Sequence, residues 1–244
     1  TVSGVVAHAS GSWTWAKFAP GLKKVAIAYL HGSSDPVVPY GQSPGSRDVY
    51  AEKGYELLHL NRLDRYNHWP NAVRATETLD WCQGMTAKSP EEALDCAKRI
   101  LAVKPPDSVQ WETLVDFAGA RDVLRRLEGK GSAPMKGVPS SVAAEAKKWS
   151  DAIEKHGAAH VAEVKKTLPK KELALDGKPW LGHLVPLREN FRGVDSVEAF
   201  LKELAFDKKV EAQAKGSTAM WNAWWNEKEE AKIAQAVLEG LTKA

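Results

Sequence analysis

The first 86 residues contain three short apolar runs, each bounded by residues that favour turns. The runs cover residues 5–9, 25–30 and 55–63, and the third is richer in polar side chains. Short continuous apolar runs flanked by glycine and proline are typical of buried parallel strands. This spacing limits the N-terminal part of the chain to an open sheet whose strands are joined by crossover connections.

Two segments between and after these runs have helical character. Residues 46–53 end at Gly54, and residues 71–83 end at Gly84. Glycine just past the last turn is a common end of a helix. The resulting order of strand, helix, strand, helix predicts a right-handed parallel βαβ unit.

The sequence changes character near residue 89. Ser89 and Pro90, followed by two glutamates, predict a helix start, because serine caps the first turn and acidic groups favour its positive end. Helical spacing of apolar residues follows in residues 93–103, 108–127, 140–168, 194–204 and 218–241, with a break expected at Gly157. Residues 173–193 contain several glycines and prolines and are expected to be irregular. We predict an α/β domain over residues 1–86 and a mostly α-helical domain over residues 89–244.

Composition and charge narrow the range of partners and cofactors. The 34 basic and 31 acidic residues are interleaved, so no basic face for nucleic acid is expected. No segment approaches the roughly 20 apolar residues that a membrane span requires. Cys82 and Cys96 do not form a CxxC pair, which argues against zinc; they could form one disulfide or remain two buried thiols. We expect no metal and no other cofactor.

Two polar segments follow the second and third apolar runs and carry residues suited to acid–base chemistry. Asp35 lies in LHGSSDPVVPYGQS, residues 30–43, and His68 lies in YNHWP, residues 66–70. The carboxyl ends of parallel strands meet at one edge of a sheet, where ligands bind. A carboxylate there can accept a hydrogen bond from an imidazole and fix its tautomer. We therefore expect a carboxylate oxygen of Asp35 within about 3.2 Å of an imidazole nitrogen of His68. The plainer alternatives are that Asp35 only forms an Asp-Pro turn and that His68 only lies at the entry of a helix.

These residues also carry a resemblance to a known group of enzymes. SGVVAHASGSW, VAIAYLHGSSDPVVPYGQS and the later His-Trp-Pro resemble the polyhydroxyalkanoate depolymerase and feruloyl esterase group of secreted α/β-hydrolases. The resemblance covers residues 3–83 and implies the C-terminal portion of an α/β-hydrolase parallel sheet. It implies that Asp35 is the acid of a catalytic triad, His68 the base and Trp69 an aromatic side chain at the substrate. It also implies a secreted or periplasmic location.

The nucleophile of such a triad is not evident in the sequence. The resemblance places it in a G-x-S-x-G elbow upstream of Thr1. Ser10 lacks glycine at both flanking elbow positions, and Thr1 acting through its own amine is a further alternative. The chain is thus expected to be part of a serine esterase, completed by a missing N-terminal portion in the same or a second chain and acting on an ester. The alternative is a non-catalytic hydrolase remnant with a helical binding module.

Overall fold

A computed structural model describes residues 4–9, 23–63, 66–69, 72–102, 115–167 and 181–204. The chain divides into two compact units, Thr1–Ala199 and Phe200–Ala244, and only residues 200–204 of the second are described. The described elements, in chain order, are β1 (Gly4–His8), β2 (Ala26–Gly32), α1 (Gln42–Glu52), β3 (Leu58–Leu63), α2 (Ala72–Thr86), α3 (Pro90–Ala102), α4 (Phe117–Leu127), α5 (Ser140–Thr167), α6 (Leu181–Asn190) and α7 (Asp195–Glu203).

The three strands form one parallel sheet in the order β1-β2-β3. Helix α2 packs against β1 and β2, and α1 packs against β2 and β3. The central strand β2 is almost entirely buried, as the apolar run predicts. All three predicted strands are confirmed, and the chain belongs to the mixed α/β class, with a small sheet and mostly helices. Gly32 pairs with Leu63, so β2 and β3 end at the same level.

The helices after residue 89 continue the first compact unit and do not start a new one at the predicted boundary of residues 86–89. Helix α3 packs on α2, and α4 packs on both. The guanidinium of Arg126 in α4 donates to the carbonyls of Gly84 (2.8 Å) and Ala87 (2.9 Å). The last carbonyls of a helix have no partner within it. Arg126 satisfies carbonyls at the end of α2 and thereby ties the two regions together.

A buried histidine–aspartate pair also joins the sheet to the helices. Nε2 of His59 in β3 lies 2.6 Å from a carboxylate oxygen of Asp116, and both side chains are almost fully buried. The other oxygen of Asp116 caps α4 by accepting from the amide of Gly119 at 2.8 Å. Arg192, beyond α6, donates to Nδ1 of His59 at 3.2 Å. The start of α4 and the segment after α6 are therefore in direct contact with a buried side chain of β3.

Two helical predictions differ from the structure. Helix α5 runs without a break through Gly157. A Cβ at this position would lie 2.7 Å from Cγ1 of Val194, which explains the glycine. The glycine permits close packing of α5 on the segment around Val194 and does not end a helix. Residues 181–190, expected to be irregular, form α6, in which Leu184 and Leu187 are buried three residues apart. Burial of these side chains offsets the poor helix propensity of Gly182 and Pro186.

Several sequence predictions are decided only in part. Cys82 and Cys96 are free and buried thiols, so they do not form a disulfide. Burial raises the pKa of the Cys82 thiol to about 12.

The predicted helix over residues 218–241 and the alternative nucleophiles Ser10 and Thr1 lie outside the described residues. None of the helices in the described ranges is long and apolar enough to cross a membrane.

The role assigned to Gly157 can be tested with a matched pair of glycine substitutions. Gly157→Ala should destabilise the protein by about 1–3 kcal/mol, because the new methyl group overlaps Val194. Gly45 also lies within a helix, α1, but a Cβ added there would have nothing within 4 Å. Gly45→Ala should therefore stabilise the protein by up to about 1 kcal/mol. Urea unfolding of both variants checks this, and stabilisation by Gly157→Ala would contradict the packing role.

Candidate active site

Asp35 is held in the loop that leaves the carboxyl end of β2. Its Oδ1 accepts hydrogen bonds from the backbone amides of Val37 (2.8 Å) and Val38 (2.9 Å). Such an arrangement closes a tight turn and fixes the carboxylate, as the Asp-Pro sequence favours. The side chain of Asp35 has no exposed surface. Its second oxygen, Oδ2, is directed toward the loop that follows β3.

His68 lies in that second loop and meets Asp35 directly. Nδ1 of His68 is 2.9 Å from Oδ2 of Asp35, which confirms the expected proximity. The His68 side chain remains 22 % exposed. A carboxylate accepts only, so Nδ1 carries the proton and Nε2 retains the lone pair of a neutral ring. This is the tautomer that a general base requires.

The two loops approach so closely that only glycine fits at the end of β2. A Cβ at Gly32 would overlap the carbonyl oxygens of Asn67 and Tyr66. Beside this contact, the amide of Ser34 donates to the Tyr66 carbonyl at 2.9 Å. The backbone of the loop that carries His68 therefore packs directly against the backbone of the loop that carries Asp35. The sequence marked Gly32 only as part of a turn.

The folded protein stabilises the ionised form of the Asp35 carboxyl. Burial alone would raise the pKa of this carboxyl, but the amides of Val38 and Val37 and the imidazole of His68 outweigh burial and lower the pKa to about 2. Asp35 is therefore ionised throughout the physiological range. An ionised carboxylate on Nδ1 stabilises the imidazolium that His68 becomes when it takes a proton.

Trp69 forms part of an aromatic surface around His68. Its ring lies edge-on to the His68 ring, with centroids 5.0 Å apart, and the residue is 73 % exposed. The ring of His8, at the end of β1, lies 5.4 Å from that of His68 and 6.4 Å from that of Trp69. The structure thus brings together all three residues singled out by the sequence, Asp35, His68 and Trp69.

Two histidines near this site were not identified from the sequence. His8 closes the first apolar run, and burial lowers the pKa of its imidazole below the ordinary value. Nε2 of His8 is buried and has no hydrogen-bond partner in the described part of the chain. His31 precedes Gly32 and is completely buried beside Asp35. Only the position of each residue at a strand end could have signalled these contacts, because their ring orientations depend on the folded loops.

The described part of the site suits proton transfer. No group of three or more histidine, cysteine or carboxylate side chains in the described ranges is arranged to hold a metal ion. Comparison with protein-family models, curated proteins and solved structures finds no significant match to this chain. A functional conclusion therefore rests on the geometry of Asp35, His68 and their neighbours.

The contact at Gly32 generates a test of the loop arrangement. Gly32→Ala should destabilise the protein by about 1–3 kcal/mol or more, because the methyl group has to displace the backbone at Asn67. It should also separate His68 from Asp35. Gly41→Ala, at a position with nothing within 4 Å, is the control and should be close to neutral. NMR spectra of the His68 ring and urea unfolding check both variants. An unperturbed His68 signal in Gly32→Ala would contradict the close approach.

The low pKa of Asp35 generates a test of pH dependence. Because folding lowers this pKa from 3.8 to about 2, ionised Asp35 contributes about 2 kcal/mol of stability above pH 4. That contribution disappears as the pH falls toward 2. Asp35→Asn should therefore destabilise the protein at pH 6, and the difference from the unmodified protein should narrow between pH 4 and pH 3.

Urea unfolding at pH 6, 4 and 3 measures this difference. Asp48→Asn removes a carboxylate whose side chain is 63 % exposed, and it should change stability by no more than about 0.5 kcal/mol at pH 6. A difference between the unmodified protein and Asp35→Asn that stays constant from pH 6 to pH 3 would argue against the stabilised charge.

Proposed function

We propose that this chain supplies the acid and the base of a carboxylic ester hydrolase, with Asp35 as the acid and His68 as the base. The observation that carries the proposal is the 2.9 Å contact between Nδ1 of His68 and Oδ2 of the buried Asp35 at the carboxyl edge of a parallel sheet. The resemblance of residues 3–83 to secreted α/β-hydrolases supports the same activity. It extends the proposal to a secreted or periplasmic protein.

In the proposed reaction, His68 moves one proton in each half of the cycle. Nε2 takes the proton of a serine hydroxyl as its oxygen attacks the ester carbonyl. The same nitrogen returns that proton to the departing alkoxide, which leaves as an alcohol. Water then attacks the acyl-enzyme while Nε2 of His68 takes one of its protons. His68 passes that proton to the serine oxygen as the bond to the acyl group breaks, which releases the carboxylic acid and restores the serine. Asp35 stays ionised and stabilises each imidazolium.

The serine of this proposal belongs to protein that precedes Thr1, in the same or a second chain. Strand β1 pairs with β2 on one side, and no described strand pairs with its other edge. Val5 in β1 is 44 % exposed. Exposed apolar strand edges promote aggregation and are normally covered. A further strand on this edge would bring its own carboxyl end beside β1, close to His8 and His68.

Trp69 is the proposed contact for the substrate. An exposed tryptophan at 5.0 Å from the base offers a flat apolar surface to the acyl or alcohol part of an ester. Val37, in the loop of Asp35, is also largely exposed. These two side chains favour a substrate with an apolar portion over one that is charged throughout.

The alternative is a non-catalytic hydrolase remnant that binds through its helical region. In its favour, the hydrogen bond shown for the His68 ring is to the Asp35 carboxylate, which is the acid of the proposed triad and not its nucleophile. An acid–base pair without a nucleophile retains binding and electrostatic effects but lacks most of the catalytic advantage of a triad. The two candidates therefore differ in whether a serine reacts at this site.

Labelling of the full-length protein with a fluorophosphonate probe separates them. We expect labelling of a serine, and we expect His68→Ala to slow it by about a thousandfold or more, because the serine loses its base. His156→Ala, which changes an exposed histidine of α5, is the control and should label at the normal rate. Absence of labelling in the unmodified full-length protein would support the non-catalytic alternative. His68-dependent turnover of p-nitrophenyl acetate by the 244-residue chain alone would place the nucleophile at Ser10, Thr1 or another residue within it.

A further inference from the structure

Asp35 is in contact with a second histidine as well as His68. Nε2 of His31, at the end of β2, lies 3.2 Å from Oδ2 of Asp35 and 3.0 Å from the carbonyl oxygen of Val38. Nδ1 of the same ring lies 2.7 Å from the hydroxyl of Ser43, near the start of α1. The side chains of His31 and Asp35 have no exposed surface. Both nitrogens of His31 therefore have partners inside the protein.

These partners determine where His31 carries its proton. The Val38 carbonyl and the ionised Asp35 carboxylate can only accept hydrogen bonds. Nε2 must therefore be a donor. The Ser43 hydroxyl can donate or accept, so it satisfies Nδ1 in either charge state of the ring. The hydrogen bond of Nε2 goes to the Val38 carbonyl. Oδ2 of Asp35, the same oxygen that His68 contacts, lies 3.2 Å from that nitrogen, so the protonated Nε2 is its close electrostatic neighbour.

We propose that His31 is a positioning residue that holds Oδ2 of Asp35 against Nδ1 of His68. The carboxylate is then held at both ends, by two backbone amides that donate to Oδ1 and, at Oδ2, by the hydrogen bond to His68 and the N–H of His31 3.2 Å away. Rotation of the carboxylate would break contacts at both oxygens. The catalytic value of this arrangement rests on the proposed esterase function, whereas its effect on the tautomer of His68 does not.

The side chains around His31 hold its ring in one position. The Tyr40 ring lies beside it, with centroids 5.5 Å apart, and the guanidinium of Arg62 lies 5.0 Å from the centre of the Tyr40 ring. Tyr40 and Ser43 belong to the same loop and helix start that follow Asp35. The segment from residue 31 to residue 43 therefore folds around its own histidine, which places a fixed N–H donor beside the carboxylate.

Two amide substitutions of His31 test the positioning role. Glutamine extends far enough to place an amide nitrogen where Nε2 of His31 lies, whereas asparagine reaches only the position of Nδ1. His31→Gln can therefore keep an N–H beside Oδ2 of Asp35 and His31→Asn cannot, although neither side chain titrates. Both variants are compared with the unmodified full-length protein by 15N NMR of the His68 ring, by urea unfolding and by ester hydrolysis.

We expect His68 to remain the Nδ1–H tautomer in the unmodified protein and in His31→Gln. In His31→Asn, we expect loss of the single Nδ1–H signal and a fall in kcat of about tenfold or more, with KM unchanged. If His31 only stabilised the fold, each variant would instead lose kcat and the Nδ1–H signal in proportion to its loss of unfolding free energy. Retention of the Nδ1–H tautomer in His31→Asn, or an equal loss in both variants, would overturn the proposal. The expected tautomer pattern in a protein without esterase activity would refute the proposed function and leave the role of His31 standing.

Discussion

The parallel pairing of β2 with β3 is the constraint on which the candidate site depends. Gly32 and Leu63 are register partners, so the two strands end side by side and their loops leave the sheet at the same level. Asp35 and His68, 33 residues apart in sequence, meet because of this register. A shift of one residue would turn the buried side chains of a strand to its other face and separate the loops. The chemistry of the site is therefore a consequence of the sheet.

Buried polar contacts extend this dependence to the helical region. His59 of β3 contacts Asp116 at the start of α4, and Arg126 of α4 satisfies carbonyls at the end of α2. Removing one member of a buried hydrogen-bonded pair leaves the other polar group without its partner, which is costly. Helices α3 and α4 are for this reason part of the unit that contains the site. They pack on α2, which itself packs on the sheet from which both loops extend.

Predictions that rest on local sequence patterns were confirmed, whereas features that depend on tertiary packing were missed or predicted wrongly. Apolar runs identified all three strands, and turn residues identified the loop of Asp35, because both depend on short-range chemistry. The predicted break at Gly157 was wrong, since the glycine serves a contact with Val194 across the fold. Helix α6 was missed because burial of Leu184 and Leu187 outweighs the propensities of Gly182 and Pro186. The contact between His31 and Asp35 was also missed, since ring orientation is not encoded in residue spacing.

The sequence by itself determined the kinds of element, their order and the presence of Asp35 and His68 after consecutive strands. Hydrophobic periodicity, glycine and proline express those features locally, so one sequence was sufficient to show them. Only the tertiary structure decided that the helices share a core with the sheet, that both cysteines stay free and that a second imidazole reaches Asp35. Those features depend on distances between residues far apart in the chain, which packing sets only when the whole unit is folded.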